Sequence, residues 1–589
     1  MKKASAAELK QFREELLLPL APAPSDKIVE CLFEYDVPVR AHEIWPYLID
    51  TSRMNRDLGF PPREEKEING ENNISTVTLG KKELWIEKPW VWIQDKEVQN
   101  HRVFIHGWMT EQRGVFRIVN ATEDKCTVQV YFRWAFDKLF NYLLFKLVPG
   151  ALGKSFDKFF KTKTAEILEE RKKSEQPQSP LPDQGAAYEL LKNYLLTADV
   201  LDIDRIHPKK VSHRLGLELE DVITNCVRMV KDGDMSLSWD IVCPHCRGVR
   251  SENPYLSELE ELNSCGPCGV NFDLQGEKTI EVVFHLTRKL RDVQSLVYCA
   301  AEPARKKHIK FVQFLGPKEK GTYPFQLSHG SYRLRKKGGT DLLLLNVSAA
   351  GADSAEWNGN TKSVLNVARN FTLHLTNESS SRELFSLEES WWDNDRLIAG
   401  EALTHPAIRD IFSDDHLQIG LKINVGPQVI LFTDIVGSTP FYKNFGDAQA
   451  LKVVQLHYKE VTEIINRHSG VVVKFIGDAI MAAFLDIEDA MKCTIEIHQK
   501  IDGNHKDIPI KLRASFHQGT VLCANLNVGI DYFGNTVNKA AKIQKYADAL
   551  EIAVTAEDWE RLSQQFPQVK VKSSIRDEKL AVDIKILAL

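Results

Sequence analysis

A multidomain α+β chain is the fold class this sequence predicts, and three observations carry it. The chain has 589 residues, 43% hydrophobic and 27% charged, a globular composition too long for one core, so roughly three to five domains are expected. Its hydrophobic pattern switches repeatedly between strand alternation, as in CLFEYDVPV and VQVYFRWAF, and helical spacing. In the last third, short β-rich runs and amphipathic stretches follow one another in the order βαββαβ, the signature of a compact sheet with helices on one face.

Composition excludes several classes of function. A formal charge of −5 supplies no global attraction to nucleic acid or anionic lipid, so no nucleic-acid partner is expected. The opening MKKASAAELKQFREELLLPL scatters charges through an amphipathic pattern and lacks the unbroken apolar core of a signal peptide. The most lipid-like run, LFNYLLFKLVPGALG, is 15 residues long and contains Lys146 and Pro149, short of the ~20 apolar residues of a spanning helix. Ten cysteines are too few for a disulfide scaffold. The expectation is a soluble, cytoplasmic protein with no membrane span.

Residues 28–172 come first. An alternating strand runs into a helix, further strand-like runs such as VTLGKKELWIEKPWVWIQ follow, and an amphipathic helix from about Ser155 to Arg171 closes the unit. The pattern resembles the START-like, polyketide-cyclase-like helix-grip fold, and the resemblance implies a cavity between sheet and helix that takes a small apolar ligand. Trp85, Trp90, Trp92, Trp108 and Trp134 fit the lining of such a cavity and equally a plain aromatic core.

The Pro-, Ser- and Gln-rich stretch 173–188 reads as a linker. In 189–240 two short helical runs and a hairpin look like a winged-helix module. Its candidate reading helix sets Glu218, Glu220 and Asp221 against Arg228 alone, and those acids would face phosphates, so a structural or protein-docking wing is expected rather than a DNA reader. In 241–275, CPHC and CGPC place Cys243, Cys246, Cys265 and Cys268 as two pairs 18 residues apart. Each pair can wrap a turn around one ion, and four thiolates complete a tetrahedron, the spacing of a structural zinc ribbon. CPHC and CGPC also occur at redox dithiol sites, but Pro254 and the lack of an immediate helix after the first pair argue against that chemistry. Residues 276–400 alternate and suggest a β-sandwich-like domain without a catalytic constellation, and 401–426 form a helical connector.

The remaining stretch, 427–589, carries the chemistry. QVILFTD ends a β-rich run at Asp434, and VVVKFIG with DAIMAAF makes a hairpin with Asp478 at its turn. Both acids are expected at one end of one sheet, where two carboxylates repel unless a cation lies between them. Hard oxygen donors select magnesium or manganese, and the small residues of DIVGST expose backbone N–H groups at a helix start, which suits a triphosphate.

FTDIVGST, KFIGDAIMAAF, RASFHQGTV and DYFGNTVNKAAK stand in this order over about 160 residues, and by them the segment resembles the class III nucleotidyl cyclase catalytic domain, with its ferredoxin-like fold. The resemblance implies closure of a ribose 3′-hydroxyl onto the α-phosphate of a nucleoside triphosphate, with release of pyrophosphate, at sites shared across a homodimer. It assigns Asp434 and Asp478, with the Ile435 carbonyl, to two Mg²⁺ or Mn²⁺ ions per site, and Arg513 to the terminal phosphates. It assigns Lys474 and Asp531 to the base: an ammonium donating to adenine N1 and a carboxylate accepting from the 6-amino group specify ATP, because guanine presents the opposite polarity. Asn538 falls on the ribose-orienting position. Lys542, four residues on and therefore on the same helical face, stands where the family usually has arginine; charge is kept but the planar fork of donors is lost. Arg576 aligns best with the family's phosphate lysine. The implied activity is an adenylate cyclase regulated by its N-terminal domains; the alternative is a weak or inactive cyclase fold that binds nucleotide for regulation.

Overall fold

A computed structural model describes residues 1–588 apart from 21, 62, 69–70, 79, 175–183, 246, 266–269, 294–305, 338–341, 360–362, 391–394, 412–421, 505–506 and 526–529. The chain divides into two compact units, one made of residues 1–180, 265–270 and 294–393, the other of 181–264, 271–293 and 394–589.

In the first unit, strand Lys27–Val37 runs into helices Ala41–Ile49 and Thr51–Asp57. It pairs antiparallel with Cys126–Phe136, and Glu111–Val119, Glu97–His106 and Lys81–Ile93 follow across the sheet. The 27-residue helix Val148–Ser174 lies on one face of this sheet. Phe156, Phe159 and Phe160 from the helix share a buried cluster with Trp90, Trp92 and Trp134. Beneath them Glu87 is buried but fully engaged, accepting from the indoles of Trp85 (3.1 Å) and Trp90 (2.8 Å) and from Arg102 (2.9 Å); a carboxylate taken out of water needs such partners. The sheet continues through Ile309–Leu315, which pairs with Lys81–Ile93, into five more strands.

In the second unit, helix Gln184–Thr197 and the short helix Val200–Ile203 precede helices Pro208–Leu215 and Leu219–Lys231, the former of this pair ended by Gly216 in the left-handed region (φ 63°). Strands Val249–Asn253, Met235–Val242, Ile280–Leu286 and Leu397–Ile398 then form a sheet in that order. The stretch 276–400, expected as one β-rich domain, is therefore split between the two units. Ile280, Val282, Val283 and Phe284 are fully buried, as is Glu281 between the first two, as suits a central strand with a neighbour on each side, whereas 309–389 extends the first unit's sheet.

The C-terminal sheet has strands β1 (Ile423–Ile435), β2 (Val471–Ile476), β3 (Ala479–Phe484), β4 (Leu512–Asn525) and β5 (Ile530–Phe533). Across the sheet the order is β2-β3-β1-β4, followed by strand Glu551–Thr555 and the C-terminal hairpin, with β5 pairing the far end of β4. Helices α1 (Asp447–Arg467) and α2 (Ile487–Lys500) cover one face: Val429, Leu431, Ile480 and Ala482 share a buried cluster with Val461 and Ile497. The opposite face, with Ile430, Phe432, Met481 and Tyr532, joins a cluster that also contains residues of the 187–293 region and of the two connector helices, Ala399–Thr404 and Pro406–Ile411. The first connector helix lies directly on β1: a Cβ at Gly400 would stand 2.0 Å from the Val425 carbonyl oxygen. Thr404 Oγ1 is 2.8 Å from Gln428 Oε1 at the same contact.

Candidate active site

Strand register assembles the acidic end of the sheet. β1 and β4 are antiparallel with Asp434 directly opposite Arg513, and β1 and β3 pair Thr433 with Ile480. One step further along the β1–β3 ladder lies the two-residue turn Gly477–Asp478, with Gly477 at φ 63°, the left-handed geometry that a tight hairpin turn asks of its first residue. Tyr458 of α1 donates its hydroxyl to the Gly477 carbonyl and secures the turn. Asp478, Asp434 and Arg513 thus come from three adjacent strands at one end of the sheet.

Arg513 donates from Nε to Asp434 Oδ2 (2.9 Å) and approaches the same oxygen with Nη2. Asp478 Oδ2 is buried with no hydrogen-bond partner among the described residues, although a buried carboxylate oxygen ordinarily has one. An oxygen-preferring cation would satisfy it. The donors fit Mg²⁺ or Mn²⁺: two carboxylates on neighbouring strands, with Ile435 ending β1 beside them.

Lys474 and Asp531 are brought together by a bulge. The β2–β3 register shifts between Val472 and Lys474. Val472 packs toward α1, and Phe475 also faces it, its ring 4.3 Å from that of Tyr458. One extra residue in the strand therefore leaves Lys474 on the opposite face, where regular alternation from Val472 would have placed Val473. There Lys474 Nζ donates to Asp531 Oδ2 at 2.5 Å, and Asp531 Oδ1 accepts the Tyr532 N–H at 2.8 Å. Burial pushes the Tyr532 phenol and the neighbouring Cys523 thiol each up to about 12, so β5 rests on an apolar floor.

Asn538 and Lys542 lie on helix α3 (Asn535–Ile543), which turns Thr536, Ala540 and Ile543 inward. Both are exposed, and no contact of theirs with the acidic end or with the Lys474–Asp531 pair is seen among the described residues. Arg576, on the outer strand Lys570–Asp577, pairs with Asp583 at 2.9 Å. Of the four thiols expected to hold zinc, Cys243 and Cys265 are buried, and the Cys243 sulfur accepts the His245 N–H (3.4 Å); Cys246 and Cys268 lie outside the described residues. Among the described residues there is no cluster of three or more metal-ligating side chains, and no helix long and apolar enough to cross a membrane. One residue beside the site was not anticipated: Arg409 of the second connector helix donates to the Ile530 carbonyl at 2.7 Å. The sequence marks it only as a cation beside an acid in the short helix PAIRDI, which belongs to no motif.

Residues 424–579 match the family of adenylate and guanylate cyclase catalytic domains, so the C-terminal part of this chain is a class III cyclase catalytic domain. Residues 183–306 match a second family, DUF5939, of unknown function. Adenylate cyclase 2 of Rhizobium meliloti is 27% identical over 26% of this chain and 48% of its own length, and an uncharacterized protein of Mycobacterium tuberculosis is 24% identical over 28% of this chain and 54% of its own. The chain spans about half the length of these curated relatives. Among solved structures, the catalytic core of a rhodopsin-guanylyl cyclase with converted specificity, in complex with ATPαS, covers 29% of this chain and 98% of its own, with 18% identity and a TM-score of 0.27.

Proposed function

We propose that the C-terminal domain converts ATP to 3′,5′-cyclic AMP and pyrophosphate, in a homodimer whose two sites each draw residues from both chains. The observation that carries ATP over GTP is the Lys474–Asp531 pair, a donor beside an acceptor with the polarity adenine requires. Asp434, Asp478 and the Ile435 carbonyl are the donors for two Mg²⁺ or Mn²⁺ ions, which when bound neutralise phosphate charge and ease loss of the 3′-hydroxyl proton. Arg513, held against Asp434 in the free protein, is placed to turn to the terminal phosphates. Arg576 is a second candidate for that charge. Asn538 and Lys542, exposed on α3, orient the ribose and meet the charge that develops on the phosphate of the partner's site. An exposed pair of this kind, with no contact to the acids of its own chain among the described residues, supports a shared site.

The four cysteines Cys243, Cys246, Cys265 and Cys268 fit one structural Zn²⁺, and the 28–172 unit fits a small apolar ligand. A cytoplasmic setting is part of this reading. A second reading, a weak or inactive cyclase fold that binds nucleotide for regulation, is favoured by Lys542 in place of arginine. Product analysis of the purified full chain with ATP and with GTP, under Mg²⁺ and Mn²⁺, separates the two. Cyclic AMP from ATP is expected; ATP binding without any cyclic product establishes the second reading.

A further inference from the structure

The module at 183–306 contributes nothing to the chemistry described above, yet it is joined to the cyclase domain through the two connector helices. Helix Leu219–Lys231 packs on the second connector helix. Two ion pairs tie the module to the connector, Lys209 to Glu401 (2.7 Å) and Lys231 to Asp410 (2.6 Å), and between them His405 Nε2 lies 2.9 Å from the Glu220 carboxylate. The adjacent His405 holds the Glu220 carboxyl below the usual carboxylate range. The acids that spoil helix 219–231 as a DNA reader thus include one that faces the connector. Beneath the ion pairs the apolar core is continuous, with Leu191, Val227, Ile408, Val425, Ile530 and Tyr532 in one buried cluster.

On the other side the connector grips β5. Arg409 Nη2 donates to the carbonyl of Ile530 (2.7 Å), and its guanidinium carbon lies 5.5 Å from the centre of the Tyr532 ring. One side chain therefore holds the residue before Asp531 and the residue after it. β5 is only four residues long, and among the described residues it pairs with β4 alone, so its placement depends on such outside contacts. A recognition group must be held to within ~0.5 Å and 10–20° to work.

We propose that the 183–306 module serves as a clamp on the base-reading strand, and that Arg409 is the positioning residue that sets Asp531 against Lys474 and so fixes nucleotide selectivity. The inference rests on the reading of Lys474 and Asp531 as the adenine-reading pair. The charge-assisted hydrogen bond to Ile530 anchors the strand, and the ion pairs to the module anchor Arg409's helix.

The test uses the full chain carrying R409A, R409K, K209E or K209E/E401K. Turnover of ATP and GTP is measured together with equilibrium binding of each nucleotide by calorimetry in Mg²⁺. Loss of the anchoring bond in R409A should raise KM and Kd for ATP about tenfold, with kcat changed by less than about threefold and GTP affinity unaltered, so that the ATP-to-GTP preference falls about tenfold. R409K, which still offers a donor, should recover most of that preference. K209E should shift ATP affinity in the same direction, and K209E/E401K should restore it.

A merely structural role for Arg409 would lower kcat for both nucleotides alike and leave the preference untouched. That result, or an unchanged preference in a folded R409A, overturns the proposal; if R409A does not fold, an unchanged ATP affinity and preference in K209E does so. Equal values for K209E and K209E/E401K remove the module from the mechanism. A wild-type chain that makes no cyclic nucleotide but binds ATP over GTP refutes the enzyme reading alone, because the calorimetric preference still decides this one. Equal binding of ATP and GTP by the wild type overturns both.

Discussion

If Lys474 and Asp531 read the base as proposed, reversing their polarity with Lys474→Glu and Asp531→Cys together should redirect the domain from ATP toward GTP. In the structure the two side chains meet at 2.5 Å, with Lys474 40% and Asp531 12% exposed. In the proposed reading each makes one hydrogen bond between a charged group and adenine, worth about 1.5–3 kcal/mol when desolvated. Two such bonds give an upper bound of about 6 kcal/mol, but the exposure of Lys474 admits water and screening, so about 3 kcal/mol is the working figure. That is roughly a 150-fold loss in kcat/KM for ATP. The glutamate would accept from guanine N1–H and the cysteine thiol would donate weakly to O6, so GTP turnover should rise while staying below the wild-type rate with ATP. Initial rates of cyclic AMP and cyclic GTP formation over a range of each substrate measure both quantities, and circular dichroism checks the fold. A double variant that keeps the wild-type ATP-to-GTP ratio within about threefold would refute the assignment of these two residues to the base.

Three further outcomes are expected. D434A and K542A should each be nearly inactive alone and should regain up to about a quarter of wild-type activity when mixed as heterodimers, because one of the two shared sites then has both halves intact; heterodimers that form without recovery contradict a shared site. Freshly purified, reduced protein should carry one Zn²⁺ per chain by elemental analysis, and Cys243→Ser should lose it together with solubility, since a structural zinc site is folding free energy; a zinc-free native protein rules the assignment out. Burial, with no hydrogen-bond partner among the described residues, pushes the imidazolium pKa of His457 on α1 and of His498 on α2 down to about 4. Unfolded histidine takes up its proton near 6.5, so the stability these residues give is complete above about pH 6.5 and is lost as pH falls toward 4, by up to about 1.4 kcal/mol per pH unit for each. His457→Leu should flatten the fall in melting temperature between pH 6.5 and 4.5, and an unchanged slope would show that His457 does not titrate in this way.

How far the sequence reaches toward this site depends on what each residue owes to its neighbours in the chain. Asp434 and Asp478 are legible because each terminates an apolar run at a turn, a local pattern. The grip of Arg513 on Asp434 is not, since it depends on the β1–β4 register, which pairs residues 79 positions apart. Lys474 shows a sharper limit. Strict alternation counted from Val472 sends it toward α1, and only the bulge returns it to the face of Asp531. Similarly, IEVVF announces a buried strand but not which sheet accepts it, and the stretch 276–400 divides where its composition gives no sign of a boundary. Arg409 lies outside every motif, because its role comes from a carbonyl 121 residues away.

The seating of Gly400 on β1 has a mechanical consequence. Where two elements meet through side chains, small movements are absorbed by rotamer changes, and the contact has some give. Here a helix backbone touches a strand backbone, and a methyl group would already be 2.0 Å from the Val425 oxygen, well inside any tolerable C···O separation. No compliant layer lies between them. A shift of the first connector helix toward the sheet must therefore be carried by β1 itself, past the register shift between Asn424 and Pro427 and along the regular ladder that follows, to the strand's last two residues, Asp434 and Ile435.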